Sequence, residues 1–244
     1  MFSIADRDRL RQRLQDQAEQ DDAVVGAAYT GSHAGYGGDE WSDTDLVLAV
    51  RGELATTMDR WTRWLASEFD LRHHWDLPTG PSVVRVFLLG EWLELDLTFA
   101  PAEAFGPRGP QWRTVFGKPQ HVEPFGEPDR DFITGLAWHH TLHAWICLRR
   151  GLPWQAEHWI SALRDQVITL ACLRLGLPAA YAKSAHLLPD ELTRALEQAL
   201  VRDMTEGELR RALSAAVRAA VTELDDPALV EMLLELAGDQ PQES

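Results

Sequence analysis

The chain has 244 residues, of which 45% are hydrophobic and 25% charged, a balance typical of a folded globular protein and not of a disordered one. Its formal net charge of −15 repels a phosphate backbone, and the sequence has no segregated basic patch, so we expect no nucleic-acid partner. No apolar run approaches the roughly 20 residues that span a bilayer, and the first ten residues are charged, so we expect a cytoplasmic protein without a membrane partner.

The first predicted elements are a helix and a strand. Leu10 and Leu14 recur at helical spacing among charged residues over positions 4–19, which predicts an exposed amphipathic helix that serves as a lid or brace. The apolar run at 23–29 predicts a buried strand that ends in a tight turn at Gly31-Ser32. Backbone N–H groups of such a turn, with the serine hydroxyl, can donate to phosphate oxygens.

An Asp-x-Asp pattern precedes the second predicted strand. Asp43 and Asp45 come before the β-prone run 46–50, and side chains two apart in an extended chain lie on one face. Taken alone, Ser-Asp-Thr-Asp is also typical of a solvated turn, but the apolar run that follows favours the strand. Mg²⁺ prefers oxygen ligands and keeps positions for water and substrate phosphates. The pattern therefore indicates a magnesium site that a triphosphate completes.

A third acid comes from a predicted hairpin. A helix over about 55–69 is followed by β-rich runs at 82–89 and 91–99, on either side of Gly90. Glu94 and Asp96 share one face of the second run. The alternative is that Asp96 simply lies on the exposed face of the strand, but we favour a role in the site, which requires the hairpin to return toward Asp45.

The remaining chain predicts a connection and a helical domain. Proline and glycine are dense between 101 and 128, and helical patterns follow at 132–149, 154–175, 191–200, 206–224 and 229–236. We predict an α/β (α+β) fold with a small mixed sheet in an N-terminal domain over residues 1–105, a connection over 106–128, and a C-terminal α-helical bundle domain over 129–238.

Three motifs carry a family resemblance. Gly31-Ser32, then Asp43-Thr44-Asp45-Leu46, then Leu95-Asp96-Leu97 resemble the nucleotidyltransferase superfamily related to polymerase β, and within it the small aminoglycoside and lincosamide nucleotidyltransferases. The resemblance covers about residues 23–100, and the helical second half resembles those enzymes only in kind. It implies a nucleotidyltransferase domain followed by a helical domain, with ATP as the donor and Mg²⁺ as the cofactor.

The resemblance also implies roles for the acids. Asp43 and Asp45 would hold the metal that bridges the triphosphate, while Asp96 would complete the metal site or take the proton of the acceptor hydroxyl. Glu157, near the start of a helix in the second domain, is the alternative base because relatives can recruit a carboxylate from that domain. Glu94 is a third candidate.

The phosphate-binding loop departs from the family pattern. Many relatives follow Gly-Ser with Ala-Arg-Gly, whereas the matching positions here are Ala34-Gly35-Tyr36, so a basic residue is missing. Gly31 and Ser32 remain the expected phosphate ligands, and we expect Arg85 or Lys183 to compensate for the missing charge.

Two other sets of residues have competing interpretations. Trp41 and Trp112 flank the expected cleft in sequence and could stack on a nucleobase or a sugar ring, although most tryptophans belong to cores. His139 and His143 share a helix face, but the glutamate of a hydrolytic zinc helix is absent, which favours packing.

The predicted function is Mg²⁺-dependent transfer of AMP from ATP to a hydroxyl group of a small acceptor, with release of pyrophosphate. An aminoglycoside-like antibiotic is the expected acceptor, because an acidic surface attracts a cationic molecule, and antibiotic resistance follows by analogy alone. The alternatives are adenylylation of a protein partner and a catalytically silent, antitoxin-like regulatory module with the same fold.

Overall fold

The computed structural model describes residues 3–35 and 42–238. The chain divides into two units, Met1–Phe125 and Gly126–Ser244. The first unit has helices α1 (Ile4–Gln20), α2 (Gly31–Gly35) and α3 (Leu54–Glu68), and strands β1 (Val24–Thr30), β2 (Thr44–Val50), β3 (Leu71–Thr79), β4 (Ser82–Leu89), β5 (Glu94–Pro101) and β6 (Trp112–Phe116). The second unit has helices α4 (Arg130–Arg149), α5 (Pro153–Leu175), α6 (Asp190–Gln198), α7 (Glu206–Val221) and α8 (Pro227–Leu236). The predicted α/β class, a mixed sheet followed by a helical region, is confirmed.

One mixed sheet of six strands organises the first unit, in the order β3-β4-β5-β2-β1-β6. Strands β2 and β5 are parallel, and the other neighbouring pairs are antiparallel. The predicted hairpin is formed by β4 and β5. Because β5 pairs with β2, the hairpin returns to the strand that follows the Asp-x-Asp pattern.

The two faces of the sheet are packed differently. One face carries the larger core, in which Leu46, Leu48 and Leu97 meet Leu10 of α1 and Trp61 of α3. The other face carries a small cluster made of Ala28, Val47, Ala49, Ala100 and Phe105. Since side chains alternate along a strand, the residues next to Leu46 and Leu97 point to the second face. Asp45 and Asp96 are such residues.

Helix α1 lies against the larger core. Ser3 begins it with a capping box, in which its hydroxyl accepts from the backbone N–H of Asp6 and the Asp6 carboxylate accepts from the backbone N–H of Ser3. Leu10, Leu14 and Ala18 are fully buried. The helix is therefore a brace on the sheet, one of the two roles that the sequence predicted for it.

The two edge strands, β3 and β6, are not among the predicted elements. His73 and His74 lie in β3 and pair with β4. Strand β6 falls inside the proline- and glycine-rich segment expected to be only a connection, and it pairs with β1.

The second unit is helical throughout its regular structure. Its observed helices begin and end within three residues of the predicted ones. Fully buried side chains, including Ile160, Leu163 and Val167 of α5, form its own core. None of the helices within residues 3–35 and 42–238 combines the length and the hydrophobicity that a membrane span needs.

Candidate metal centre

Three carboxylates of the first unit converge. Asp43, Asp45 and Asp96 each offer an oxygen atom, and these atoms all lie within 4.8 Å of one another. Asp45 on β2 lies opposite Asp96 on β5 in the parallel register, and Asp43 is the residue immediately before β2. Three carboxylate oxygens at this spacing form a hard donor set that fits Mg²⁺ or Mn²⁺.

The close approach of these acids follows from strand pairing. Parallel neighbours in register place their side chains on the same face about 4.8 Å apart at the backbone. Asp43 lies two residues before Asp45 and so joins it on that face if the chain remains extended. The sequence predicted the acids, and the pairing of β2 with β5 brings them together.

Gly31 lies directly against the Asp45 carboxylate. A Cβ atom added at residue 31 would lie 2.2 Å from Asp45 Oδ2, which is shorter than any tolerated contact. The backbone of Gly31 also has φ +63°, a left-handed conformation that side chains disfavour. Glycine is therefore favoured here for two reasons, since any side chain would displace the Asp45 carboxylate and strain the backbone, and the turn after β1 borders the acidic cluster.

Ser32 adds a hydroxyl beside this turn. Its Oγ is buried and has no hydrogen-bond partner within residues 3–35 and 42–238. A buried hydroxyl normally finds a partner, so an orphan of this kind next to a cluster of acids is consistent with a ligand-binding role.

Trp112 stands on the same face of the sheet as Asp45. It pairs with Thr30 at the end of β1, and Tyr29, the preceding residue, pairs with Leu46. Two strand spacings of about 4.8 Å place its backbone about 10 Å from β2. Its indole packs on Phe105 with ring centroids 5.1 Å apart. Trp41, the other expected stacking residue, lies outside the described residues.

Arg85 lies on the opposite face. It pairs with Leu97 in the β4–β5 register, and its guanidinium donates to Asp76 through Nε to Oδ1 at 2.6 Å and Nη2 to Oδ2 at 2.8 Å. A third donor, Nη1, reaches Thr62 Oγ1 at 2.9 Å. The hydrogen bonds from Arg85 lower the pKa of Asp76 from its ordinary value. We expected Arg85 to supply the positive charge that the phosphate-binding loop lacks. This geometry conflicts with that expectation, because the Arg85 side chain joins β3 and β4 to α3.

The remaining expected site residues are not among the converging acids. Glu94 is exposed at the start of β5. Glu157, on α5, accepts a hydrogen bond from Ser161, and Lys183 is exposed after a short 3₁₀ turn. Both belong to the second unit, and their roles toward the aspartates of the first unit stay predictions.

The histidines of α4 form an aromatic cluster. The rings of His139 and His143 are 4.2 Å apart, and the ring of Trp159 lies 5.1 Å from His143. Burial, followed by the neighbouring His139, lowers the pKa of His140 from its ordinary value. Within the part of the chain that the structure describes, only the three aspartates form a group of three potential ligands close enough to share an ion.

Comparison with solved structures finds matches that include an adenyltransferase and a nucleotidyltransferase-like protein. An aminoglycoside 6-adenyltransferase from Bacillus subtilis is 12% identical, with 93% of this chain and 95% of that chain covered and a TM-score of 0.41. A nucleotidyltransferase-like protein from Exiguobacterium sibiricum is also 12% identical, with 93% and 87% covered and a TM-score of 0.33. No protein-family model and no curated protein sequence matches the chain. At these scores the structural likeness supports no statement about chemistry. The functional argument depends on the residues of the site.

Proposed function

We propose that this chain is a Mg²⁺-dependent nucleotidyltransferase that moves AMP from ATP to a hydroxyl group of a small acceptor and releases pyrophosphate. The observation that carries this proposal is the approach of the Asp43, Asp45 and Asp96 carboxylate oxygens to within 4.8 Å of one another. Its second support is the sequence resemblance, since the same three acids occupy the motif positions of the nucleotidyltransferase superfamily.

The three aspartates would hold Mg²⁺, which when bound neutralises charge on the triphosphate and favours attack at the α-phosphorus. Asp96 is the proposed base, and it takes the proton of the acceptor hydroxyl. The acceptor oxygen then forms a bond to the α-phosphorus, while the bond from that phosphorus to the bridging oxygen breaks and pyrophosphate leaves. Glu157 is the alternative base.

The turn after β1 would bind the phosphates. The backbone at Gly31 borders Asp45, and the buried Ser32 hydroxyl has no partner among the described residues, so it is available to a phosphate oxygen. Trp112 is the proposed stacking surface for the adenine, on the face that carries Asp45. Lys183 is the proposed additional cation for the triphosphate.

The proposed acceptor is a hydroxylated, cationic small molecule such as an aminoglycoside. The net charge of −15 raises the local concentration of a cation near the protein. An acceptor panel with Mg²⁺, ATP and pyrophosphate release as the readout tests this choice. If no small acceptor supports pyrophosphate release and labelled AMP appears on a protein instead, the acceptor is a partner protein and the reaction is its adenylylation.

Substitution of Asp45 by Asn tests the metal assignment. We expect Asp45→Asn to abolish pyrophosphate release and Mn²⁺ binding, because a neutral amide replaces a charged ligand, while the circular dichroism spectrum stays unchanged. Glu94→Gln is the matched control, since Glu94 is an exposed acid on the same strand face as Asp96, and it should retain Mn²⁺ binding. Full activity of Asp45→Asn would refute the proposal.

A further inference from the structure

Two arginines of α1 donate hydrogen bonds to the segment that carries the Asp-x-Asp pattern. Arg7 Nη1 lies 3.1 Å from the carbonyl oxygen of Ser42, and Arg11 Nη2 lies 3.3 Å from that of Asp43. Arg11 Nε also donates to Thr44 Oγ1 at 3.2 Å. Helix α1 thus contacts residues 42–44, which lead into β2 and lie more than 30 residues further along the chain.

Both guanidinium groups are buried, which is unusual for arginine. Arg7 is 4% exposed and Arg11 7% exposed. Burial of a charged group costs free energy unless hydrogen bonds replace its water, and here part of that replacement comes from backbone carbonyls and one hydroxyl. Arg11 also forms an ion pair with the exposed Asp8, at 3.6 Å between Nη1 and Oδ1. The contacts with residues 42–44 therefore offset part of the cost of burying these two charges.

The same helix is joined to β1. The buried Tyr29 hydroxyl donates to the carbonyl oxygen of Arg11 at 3.1 Å. Tyr29 lies two residues before Gly31, which borders Asp45. Helix α1 consequently connects the strand that leads into the glycine turn with the segment that leads into β2.

The arginines approach from the face opposite to the carboxylates. Thr44 is fully buried and lies two residues from Leu46, so its side chain points to the larger core. Asp45, the residue between them, points to the other face. Arg11, which donates to Thr44, therefore acts on the chain that carries the acids and not on anything bound by them.

We infer that Arg7 and Arg11 are positioning residues, which hold the Asp43–Asp45 segment in the conformation that completes the metal centre. The inference rests on the proposed function, because the metal centre is part of it. Three carboxylates within 4.8 Å repel one another when no cation is present, and Asp43 precedes the strand ladder. Hydrogen bonds to the carbonyl groups of Ser42 and Asp43 oppose the displacement that this repulsion favours. Arginine remains charged throughout the physiological pH range, so the contacts do not depend on pH.

Mn²⁺ binding in the absence of nucleotide tests the inference, with the electron paramagnetic resonance signal of free Mn²⁺ as the readout. We expect Arg11→Met to weaken Mn²⁺ binding by about 10- to 100-fold, the usual effect of removing a partner that orients metal ligands. Arg13→Met is the matched control, because Arg13 lies on the same helix but is exposed and pairs with Glu68. It should bind Mn²⁺ as the wild type does.

Two milder variants keep the test decisive where Arg11→Met does not fold. Thr44→Val removes the acceptor of Arg11 Nε at nearly constant volume, and Arg11→Lys retains the charge without the planar fork of donors. Both should weaken Mn²⁺ binding less than Arg11→Met does, with unchanged circular dichroism and full Mn²⁺ stoichiometry at saturation. A purely structural role would lower the melting temperature without moving the Kd for Mn²⁺.

The outcomes separate this inference from the proposed function. Wild-type-like Mn²⁺ affinity in folded Arg11→Met, or in both milder variants, would overturn the positioning role while Asp45→Asn still lost the metal. Absence of Mn²⁺ binding by the wild type, or unchanged binding by Asp45→Asn, would overturn the metal centre and the positioning role together.

Discussion

At Gly31, both the backbone conformation and the neighbouring Asp45 carboxylate disfavour a side chain. We expect Gly31→Ala to abolish Mn²⁺ binding and to destabilise the fold, because its Cβ would lie 2.2 Å from Asp45 Oδ2 and displace that carboxylate. The left-handed φ of +63° adds about 1–2 kcal/mol of strain. Mn²⁺ titration and thermal unfolding measure the two effects.

Gly80→Ala is the control that separates strain from collision. Gly80 has φ +62°, and an added Cβ would find no atom within 4 Å among the described residues. This variant should lose only the stability that backbone strain accounts for, about 1–2 kcal/mol, and keep the wild-type affinity for Mn²⁺. Equal Mn²⁺ affinity in the two variants would contradict the role that we assign to the contact between Gly31 and Asp45.

Arg85 exemplifies a side chain whose role depends on the face of its strand. We expect Arg85→Met to lower the free energy of unfolding by about 1–3 kcal/mol, because it leaves Asp76 without its two hydrogen bonds. Mn²⁺ affinity and the KM for Mg-ATP should not change, since Arg85 and Asp96 lie on opposite faces. Thermal unfolding and steady-state kinetics provide the two measurements. A large rise in that KM at unchanged stability would return Arg85 to the phosphate site.

At the scale of elements, Asp21 joins the end of α1 to α3. Its carboxylate accepts from Arg60 Nη2 at 2.7 Å and from the indole of Trp61 at 2.8 Å. Burial acts to raise the pKa of Asp21, but these hydrogen bonds, with one from the backbone N–H of Ala23, outweigh it and lower the pKa below its ordinary value. The charged form is thus favoured in the folded protein.

This shift predicts a pH-dependent effect of Asp21→Asn. A lowered pKa in the folded state contributes stability that is fully present above the unfolded value of about 3.9 and is lost as the pH falls through the folded value. Asp21→Asn should therefore be less stable than the wild type by about 1–3 kcal/mol at pH 7, and the difference should shrink below pH 4. Urea unfolding followed by tryptophan fluorescence at pH 7 and pH 3 checks this. A difference that is independent of pH would contradict it.

The strands that the sequence predicted are the central ones. Strands β1 and β2 are buried almost throughout and therefore consist of apolar runs, which a sequence reveals directly. Strand β3 is an edge strand whose residues are mostly exposed, and it contains Pro78, so it has neither an apolar run nor an alternating pattern. Strand β6, at the other edge, is five residues long and equally weak in signal.

At the scale of the whole molecule, each unit has a core of its own. The aspartate cluster, Gly31, Ser32 and the α1 arginines all belong to Met1–Phe125. We expect a fragment of residues 1–125 to fold and to bind Mn²⁺ with the affinity of the full chain, because ligands and supporting contacts are all present. It should not transfer AMP if Glu157 or Lys183 is required. Mn²⁺ titration and pyrophosphate release on the fragment measure both, and a folded fragment that fails to bind Mn²⁺ would contradict the first expectation.

The fold brings together arginines that lie far apart in the sequence. Arg7 and Arg11 lie buried beside the start of β2, and the charge of Arg113 is close enough to contribute to the lowered pKa of Arg11, after burial and Arg7. The net charge does not show where the charged side chains lie, whereas the fold places these arginines beside the segment that carries the acids. No local sequence pattern links Arg7 and Arg11 to the acids, since they share no motif with Asp43.

The sequence by itself determined the acids, the glycine turn and the central elements, because local motifs and apolar periodicity depend on residues that are near one another in the chain. Only the tertiary structure decided which side chains meet. The parallel pairing of β2 with β5 brings Asp96 to Asp45, and strand alternation sends Arg85 to the other face. The packing of α1 brings Arg11 to Thr44, 33 residues away. Strand order, register and face are set by the burial of the whole sheet, which no single segment encodes.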